Sequence, residues 1–341
     1  MKLFIRTEAN TTTAMGHMMR CLTIAEAAKK MGIQPIFVVA ESGSQKIASD
    51  RGFDTICLDR KWDDFDGEIP VISEIIKKEN IECMLIDSYW ITAKYMDAVS
   101  RLTKTAYIDD LHETIWSCEA IINYAVYSDL FDYEKEYPGK QLLLGCDYFP
   151  LRKEYAGLEK RKISDVVKNV LVVSGGSDEL HFMRTLTENI VADSKYEDIH
   201  FKFILGQFNQ DYDDISLKAE KTGNISIFKA LPSLKEAMLE SDIVISAGGT
   251  TLYEMAACTL PGIVYILADN QRYNAEGFGR KGLAVYAGDI RTSGTYQNIF
   301  KELDMLIENK EKRQQLSDSL YKLVDGEGAS RIVKRLFNVE G

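Results

Sequence analysis

What most restricts the fold of this chain is a rhythm that runs to mid-sequence, breaks, and starts again. Short apolar runs alternate with longer segments of helical period. KLFIR gives way to a helical pattern from about Gly16 to Met31, and QPIFVVA is followed by ESGSQKIASDRG. FDTICL leads to EIPVISEIIKKEN, IECMLID precedes ITAKYMDAVSRL, and KTAYIDD ends the run. Apolar strands separated by crossover helices predict a parallel sheet covered on both faces. The alternation restarts with VKNVLVVSGGSDE, IHFKFILG, GNISIFKAL, SDIVISAGGTTLYEMAA, PGIVYILADNQ and GLAVYAGD. A second sheet of the same kind follows.

Between the two runs lies DYFPLRKEYAGLEKRKISDVVKN, with a proline, a charge cluster and no apolar period, which places a linker near residues 150–166. The fold class expected is α/β, with two Rossmann-like domains, 1–150 and 151–341, whose parallel sheets face a central cleft. Ligands of such sheets gather at the carboxyl ends of the strands. The tail from about 292 to 341 reads as helical, its last helix packing back on the first domain.

Charge narrows the partners. A net charge of -11 over 341 residues excludes the broad basic patch that nucleic acid or an anionic membrane surface requires. Any phosphate must be held locally. The cysteines at 21, 57, 83, 118, 146 and 258 have no C-x-x-C spacing and read as reduced thiols, which together with the early polarity of MKLFIRTEAN points to the cytoplasm. No apolar run is long enough for an integral membrane segment. Oligomeric state is not legible.

Several segments carry candidate chemistry. TTAMGHMMRC turns through Gly16 into a helix whose first turn bears His17, one of only four histidines. A helix start disfavours a protonated imidazole, so a neutral His17 there is a candidate base. A surface or capping role is the alternative. Arg20, one turn on, either faces the same ligand or runs along the helix. SGGSD, with Gly175, Gly176 and Ser177, and SAGGTT, with Gly248, Gly249 and Thr250, each follow a strand and open a helix. Glycines there admit close approach, and the helix N–H groups suit phosphate oxygens; a tight turn is the plainer reading. Glu254 is placed for ribose hydroxyls or for a favourable first-turn charge. Asn270 and Gln271 follow Asp269 at a strand end, and Asp87, Ser88 and Tyr89 end another. Both groups suit sugar recognition or capping. Neither G-x-G-x-x-G nor G-x-x-x-x-G-K-[ST] occurs at these turns, and the acidic pairs give no metal site. No cofactor is expected.

Taken together and in order, GHMMRCLTIAEA, LIDSYW, YIDDLHE, VVSGGSD, AGGTTLYEMA and LADNQ resemble the UDP-sugar hydrolases of pseudaminic acid biosynthesis and the related spore coat polysaccharide biosynthesis proteins. The likeness runs from about residue 1 to 290. That family is similar to the two-domain GT-B glycosyltransferases, notably the one that makes the peptidoglycan lipid precursor. The resemblance implies metal-independent, inverting hydrolysis of UDP-2,4-diacetamido-2,4,6-trideoxy-β-L-altropyranose to UDP and the free sugar. His17 then matches the catalytic histidine, with Gly16 and Arg20 beside it. Tyr89, Asn270 and Gln271 fall near the sugar. The glycine turns and Glu254 match the UDP site. Ser88 stands where the family's DHY form has histidine, and the extension past about 290 is longer than the family's. A GT-B glycosyltransferase acting on a UDP-sugar donor is the alternative.

Overall fold

The computed structural model describes residues 1–10, 12, 15–175, 178, 180–206 and 209–339. They form two compact units, Met1–Lys153 with Gly326–Gly341, and Glu154–Asp325. The last helix thus belongs with the first unit, whereas a division at 150/151 leaves it with the second.

The first unit begins with β1 (Lys2–Thr7), α1 (Gly16–Lys30), β2 (Gln34–Val39), α2 (Ser42–Asp50), β3 (Asp54–Cys57) and α3 (Phe65–Glu79). It continues through β4 (Cys83–Asp87), α4 (Ala93–Ser100), β5 (Lys104–Ile108), β6 (Ala120–Asn123), α5 (Tyr133–Glu136) and β7 (Gln141–Leu144). All neighbouring strands are parallel, in the order β3-β2-β1-β4-β5-β6-β7. Every residue of β4 is buried, as expected of a strand covered on both faces. The sequence reading ends this sheet at KTAYIDD. The sheet goes on through AIIN and QLLL, four-residue strands too short to show a period.

The order reverses between β1 and β4, and these neighbours run in register from Leu3 opposite Cys83 to Thr7 opposite Asp87. Such a reversal opens a crevice at the carboxyl ends of the strands. Whatever follows β1 and β4 meets there.

The second unit contains β8 (Asn169–Val173), α6 (Phe182–Ala192), β9 (His200–Leu205), α7 (Tyr212–Ala219), β10 (Ile225–Lys229), α8 (Lys235–Leu239) and β11 (Ile243–Ala247). Next come α9 (Thr251–Ala257), β12 (Gly262–Ile266), α10 (Arg272–Arg280), β13 (Val285–Asp289), α11 (Thr295–Glu308) and α12 (Lys310–Leu320). Its parallel order, β10-β9-β8-β11-β12-β13, reverses between β8 and β11. The two glycine turns of the sequence follow those two strands. Among the described residues, no helix is long and apolar enough to cross a membrane.

The final helix, α13 (Gly328–Phe337), is held within the first unit. Lys104 Nζ donates to the Leu336 carbonyl at 2.6 Å and Gln141 Nε2 to that of Arg335 at 3.0 Å, filling acceptors that a helix end leaves open. Gly328 is required by contact: a Cβ there would lie 2.1 Å from the Phe149 carbonyl oxygen. Gly328→Ala is therefore expected to cost about 1–3 kcal/mol, as forced overpacking does, measured by denaturant unfolding. Unchanged stability would show that α13 is not packed this closely.

Candidate active site

The first-unit site is assembled from the segments after β1, β4, β5 and β6. His17 and Arg20 lie three apart on α1 and so share a helix face. Asp87 is the last residue of β4 and fully buried. His17 Nδ1 lies 2.6 Å from Asp87 Oδ1. Arg20 donates to the same carboxylate through Nε, 2.6 Å from Oδ2, and through NH2, 2.5 Å from Oδ1. Its NH1 donates to Asp110 Oδ2 at 2.7 Å and also to the Tyr124 hydroxyl. Tyr89 donates to that same Asp110 oxygen at 3.0 Å and meets the imidazole ring edge-on, with centroids 4.5 Å apart.

This geometry fixes the tautomer. Arg20 NH2 also lies 3.0 Å from His17 Nδ1, but a guanidinium can only donate and a carboxylate can only accept. An unprotonated Nδ1 would bring its lone pair within 2.6 Å of a carboxylate oxygen. Nδ1 therefore carries the proton and donates it to Asp87. Nε2, which has no hydrogen-bond partner among the described residues, is left as the acceptor.

The electrostatics agree. Burial alone would push the Asp87 carboxyl up, yet Arg20 and His17 outweigh it and hold Asp87 well below the usual carboxylate range. Burial also opposes the charge on Arg20, and Asp110 and Asp87 more than compensate. Burial and Asp110 push the Tyr89 phenol up. Tyr89 remains a neutral donor.

Gly16 is exposed at the start of α1, with open space where a Cβ would go. His17 and Tyr89 come together as described. Arg20 is committed to two carboxylates and a phenol, so neither the ligand-facing nor the helix-hugging reading describes it.

In the second unit, Gly175 has φ +93°, a conformation that favours glycine; Gly176 and Ser177 lie outside the described residues. A Cβ on Gly248 would come 2.8 Å from that of Ala275 and 2.9 Å from the Gln271 carbonyl oxygen. Gly249 is half-buried and Thr250 exposed. Asn274 donates to the carbonyls of Gly248 and Gly249 at 2.9 and 3.1 Å and accepts from Tyr253 at 2.7 Å. Both carbonyls of the turn are thus held, and the Gly248 N–H is itself taken up by the Tyr265 carbonyl at 2.9 Å. Glu254 accepts from Tyr155 at 3.3 Å. Gln271 is tied down by the Leu267 N–H at 3.0 Å, and Asn270 is exposed.

Sequence reasoning offered Asp87 for sugar recognition or capping, not as the partner of His17, and passed over Tyr124 and Asn274. The acids ending LID and YIDD were the available signal for Asp87 and Asp110. Tyr124 and Asn274 had none.

Residues 170–336 match the sequence model of the family described as Glycosyltransferase family 28 C-terminal domain. The spore coat polysaccharide biosynthesis protein SpsG of Bacillus subtilis is 23% identical over 263 residues, 75% of this chain and 76% of that protein. Two further curated relatives are spanned over only 57% and 54% of their length. MurG of Acinetobacter baumannii aligns over 99% of both chains at 12% identity, with a TM-score of 0.73. The UDP-GlcNAc 2-epimerase of Neisseria meningitidis, solved bound to UDP-GlcNAc, covers 99% of this chain and 100% of its own at 13% identity, TM-score 0.68. These likenesses establish the fold: two parallel α/β sheets of the GT-B type, as the sequence led one to expect.

Because Asp87 is more acidic folded than unfolded, its contribution to stability is present above the unfolded value of about 3.9 and is lost as pH falls through the folded value. Asp87→Asn, which takes from buried Arg20 one of its two carboxylates, is expected to cost about 3–5 kcal/mol at neutral pH. Urea unfolding across pH should show the gap to the parent narrowing below about pH 4. A gap that does not depend on pH would contradict the ionised pair.

Proposed function

We propose that this chain is a nucleotide-sugar hydrolase that releases UDP and a free sugar of the 2,4-diacetamido-2,4,6-trideoxyhexose type. The observation that carries the reading is the buried Asp87–His17 pair at the β1/β4 reversal, because it leaves Nε2 as a proton acceptor. In the proposed reaction Nε2 takes a proton from water as the water oxygen bonds to the anomeric carbon. The bond from that carbon to the β-phosphate oxygen breaks, and the electron pair departs with UDP. One displacement gives inversion.

Nucleotide recognition is assigned to the second unit, with the glycine turns that follow β8 and β11 in the sequence assigned to hold the diphosphate through backbone N–H groups, without lysine. Glu254 is assigned to the ribose, and Tyr89, Asn270 and Gln271 to the sugar. The substrate class follows the motif resemblance. No cofactor or metal is part of the proposal, and the reaction is assigned to the cytoplasm.

The match of residues 170–336 to a glycosyltransferase family favours a second reading. There His17 would deprotonate an acceptor hydroxyl in place of water.

Incubation with UDP-2,4-diacetamido-2,4,6-trideoxyhexose, with and without candidate acceptors, decides between them. UDP release without acceptor and a free sugar of inverted anomeric configuration by NMR are expected. Release that strictly requires an acceptor would assign the chain to the transferases. His17→Asn should lower kcat by roughly 10²-fold or more while calorimetric UDP affinity stays near that of the parent. Retained turnover would place the base elsewhere.

A further inference from the structure

Arg20 supports an inference that rests on the base role given to His17. We propose that Arg20 is a positioning residue that keeps His17 unprotonated, by taking up both oxygens of Asp87 while anchoring, through Asp110, the Tyr89 ring against the imidazole.

A carboxylate 2.6 Å from Nδ1 acting alone would favour the imidazolium, and an imidazolium has no lone pair on Nε2. Arg20 opposes this in two ways. Its Nε and NH2 draw on the Asp87 charge, and NH2 places a positive group 3.0 Å from Nδ1, inside a buried site where charges are weakly screened. Asp110 restrains the guanidinium from its other side, at 2.7 Å.

The groups around the ring can be named element by element. From α1 come Arg20 and Cys21, whose thiol donates to Asp87 Oδ2 at 3.4 Å and is pushed well up by burial. The end of β4 supplies Asp87 and Tyr89. Asp110 follows β5 and Tyr124 follows β6, the latter a phenol that burial also pushes up. The charged members are therefore Asp87, Arg20 and Asp110. The Arg20 and Asp87 charges lie at similar distance from the ring and offset one another, whereas Asp110 acts on the ring through Arg20. Loss of the guanidinium leaves the Asp87 carboxylate unopposed against His17. Loss of the Asp110 charge leaves the guanidinium less restrained.

The two losses therefore have opposite signs, which a merely structural role would not produce. The test is an NMR titration of the full chain labelled in its histidines, without substrate, using His17→Asn to assign the His17 signal. Arg20→Gln should move the His17 midpoint up by about one to three pH units. The acid limb of kcat/KM should move to higher pH with it. Asp110→Asn should move the midpoint down. Arg20→Lys, which keeps the charge and loses the fork, should hold the midpoint near that of the parent while kcat falls.

An Arg20→Gln midpoint that stays or falls overturns the proposal, as does an Asp110→Asn midpoint that rises. Should Arg20→Gln fail to fold, the Asp110 and Lys variants still decide. Opposite shifts in a chain that turns over no UDP-sugar would uphold the charge balance and bring down the hydrolase reading alone.

Discussion

The Asp87 carboxylate has two oxygens and three claimants. A charge with no exposed surface is tolerable only where its acceptor sites are filled, and here the imidazole, the guanidinium and a cysteine thiol share them. Filling them creates a new demand, because Arg20 is itself buried and brings donors that Asp87 cannot absorb. Asp110 and Tyr124 take these up, and Asp110 in turn receives Tyr89. One buried charge thus ties together the ends of three strands and the first helix. Strand order makes this possible, since only β4 lies beside β1 in the register that sets Thr7 opposite Asp87.

A second group of buried charges supports the same strand. Arg6 on β1 makes a two-point contact with Glu68, at 3.0 and 2.5 Å, reaches Glu8 at 2.6 Å and lies over the Phe65 ring at 4.6 Å. Glu8 also accepts the Ala40 N–H, which fixes the backbone where the loop toward His17 departs. The second unit works differently. The turn after β11 is shaped by Gly248 against α10 and by the Asn274 amide on two carbonyls.

The sequence disclosed the fold where strands were long and apolar. β1, β2, β4, β8, β11 and β12 could hardly be read otherwise, because continuous apolar runs between helical segments have few other solutions. β6 and β7 were missed since four residues cannot display a period and the aromatic-rich stretch between them lacks a long helix. That miss had a consequence at the site. Tyr124 follows β6, so the environment of Arg20 was invisible, and the arginine was given only a ligand-facing or a surface role. His17 was legible because a glycine-histidine pair at a helix start is a local pattern. Its partner lies 70 residues away, and no periodicity joins them.

A histidine beside a carboxylate is not in itself a base, and this chain shows why. His112 Nε2 lies 2.7 Å from Glu136 and His181 Nδ1 lies 2.6 Å from Asp211, distances much like that of His17 from Asp87. His112, however, stacks on Phe131 with centroids 3.9 Å apart, packed as part of a loop. His181 has a side chain 55% exposed and stands at the surface. His17 differs in three respects at once: its side chain is 8% exposed, it stands where the strand order reverses, and a guanidinium shares its carboxylate. Burial makes the tautomer durable, the reversal puts the ring where ligands of such sheets gather, and the guanidinium shares the carboxylate that orients the ring. Of the three pairs, only this one sets a buried imidazole against a carboxylate that a guanidinium also occupies.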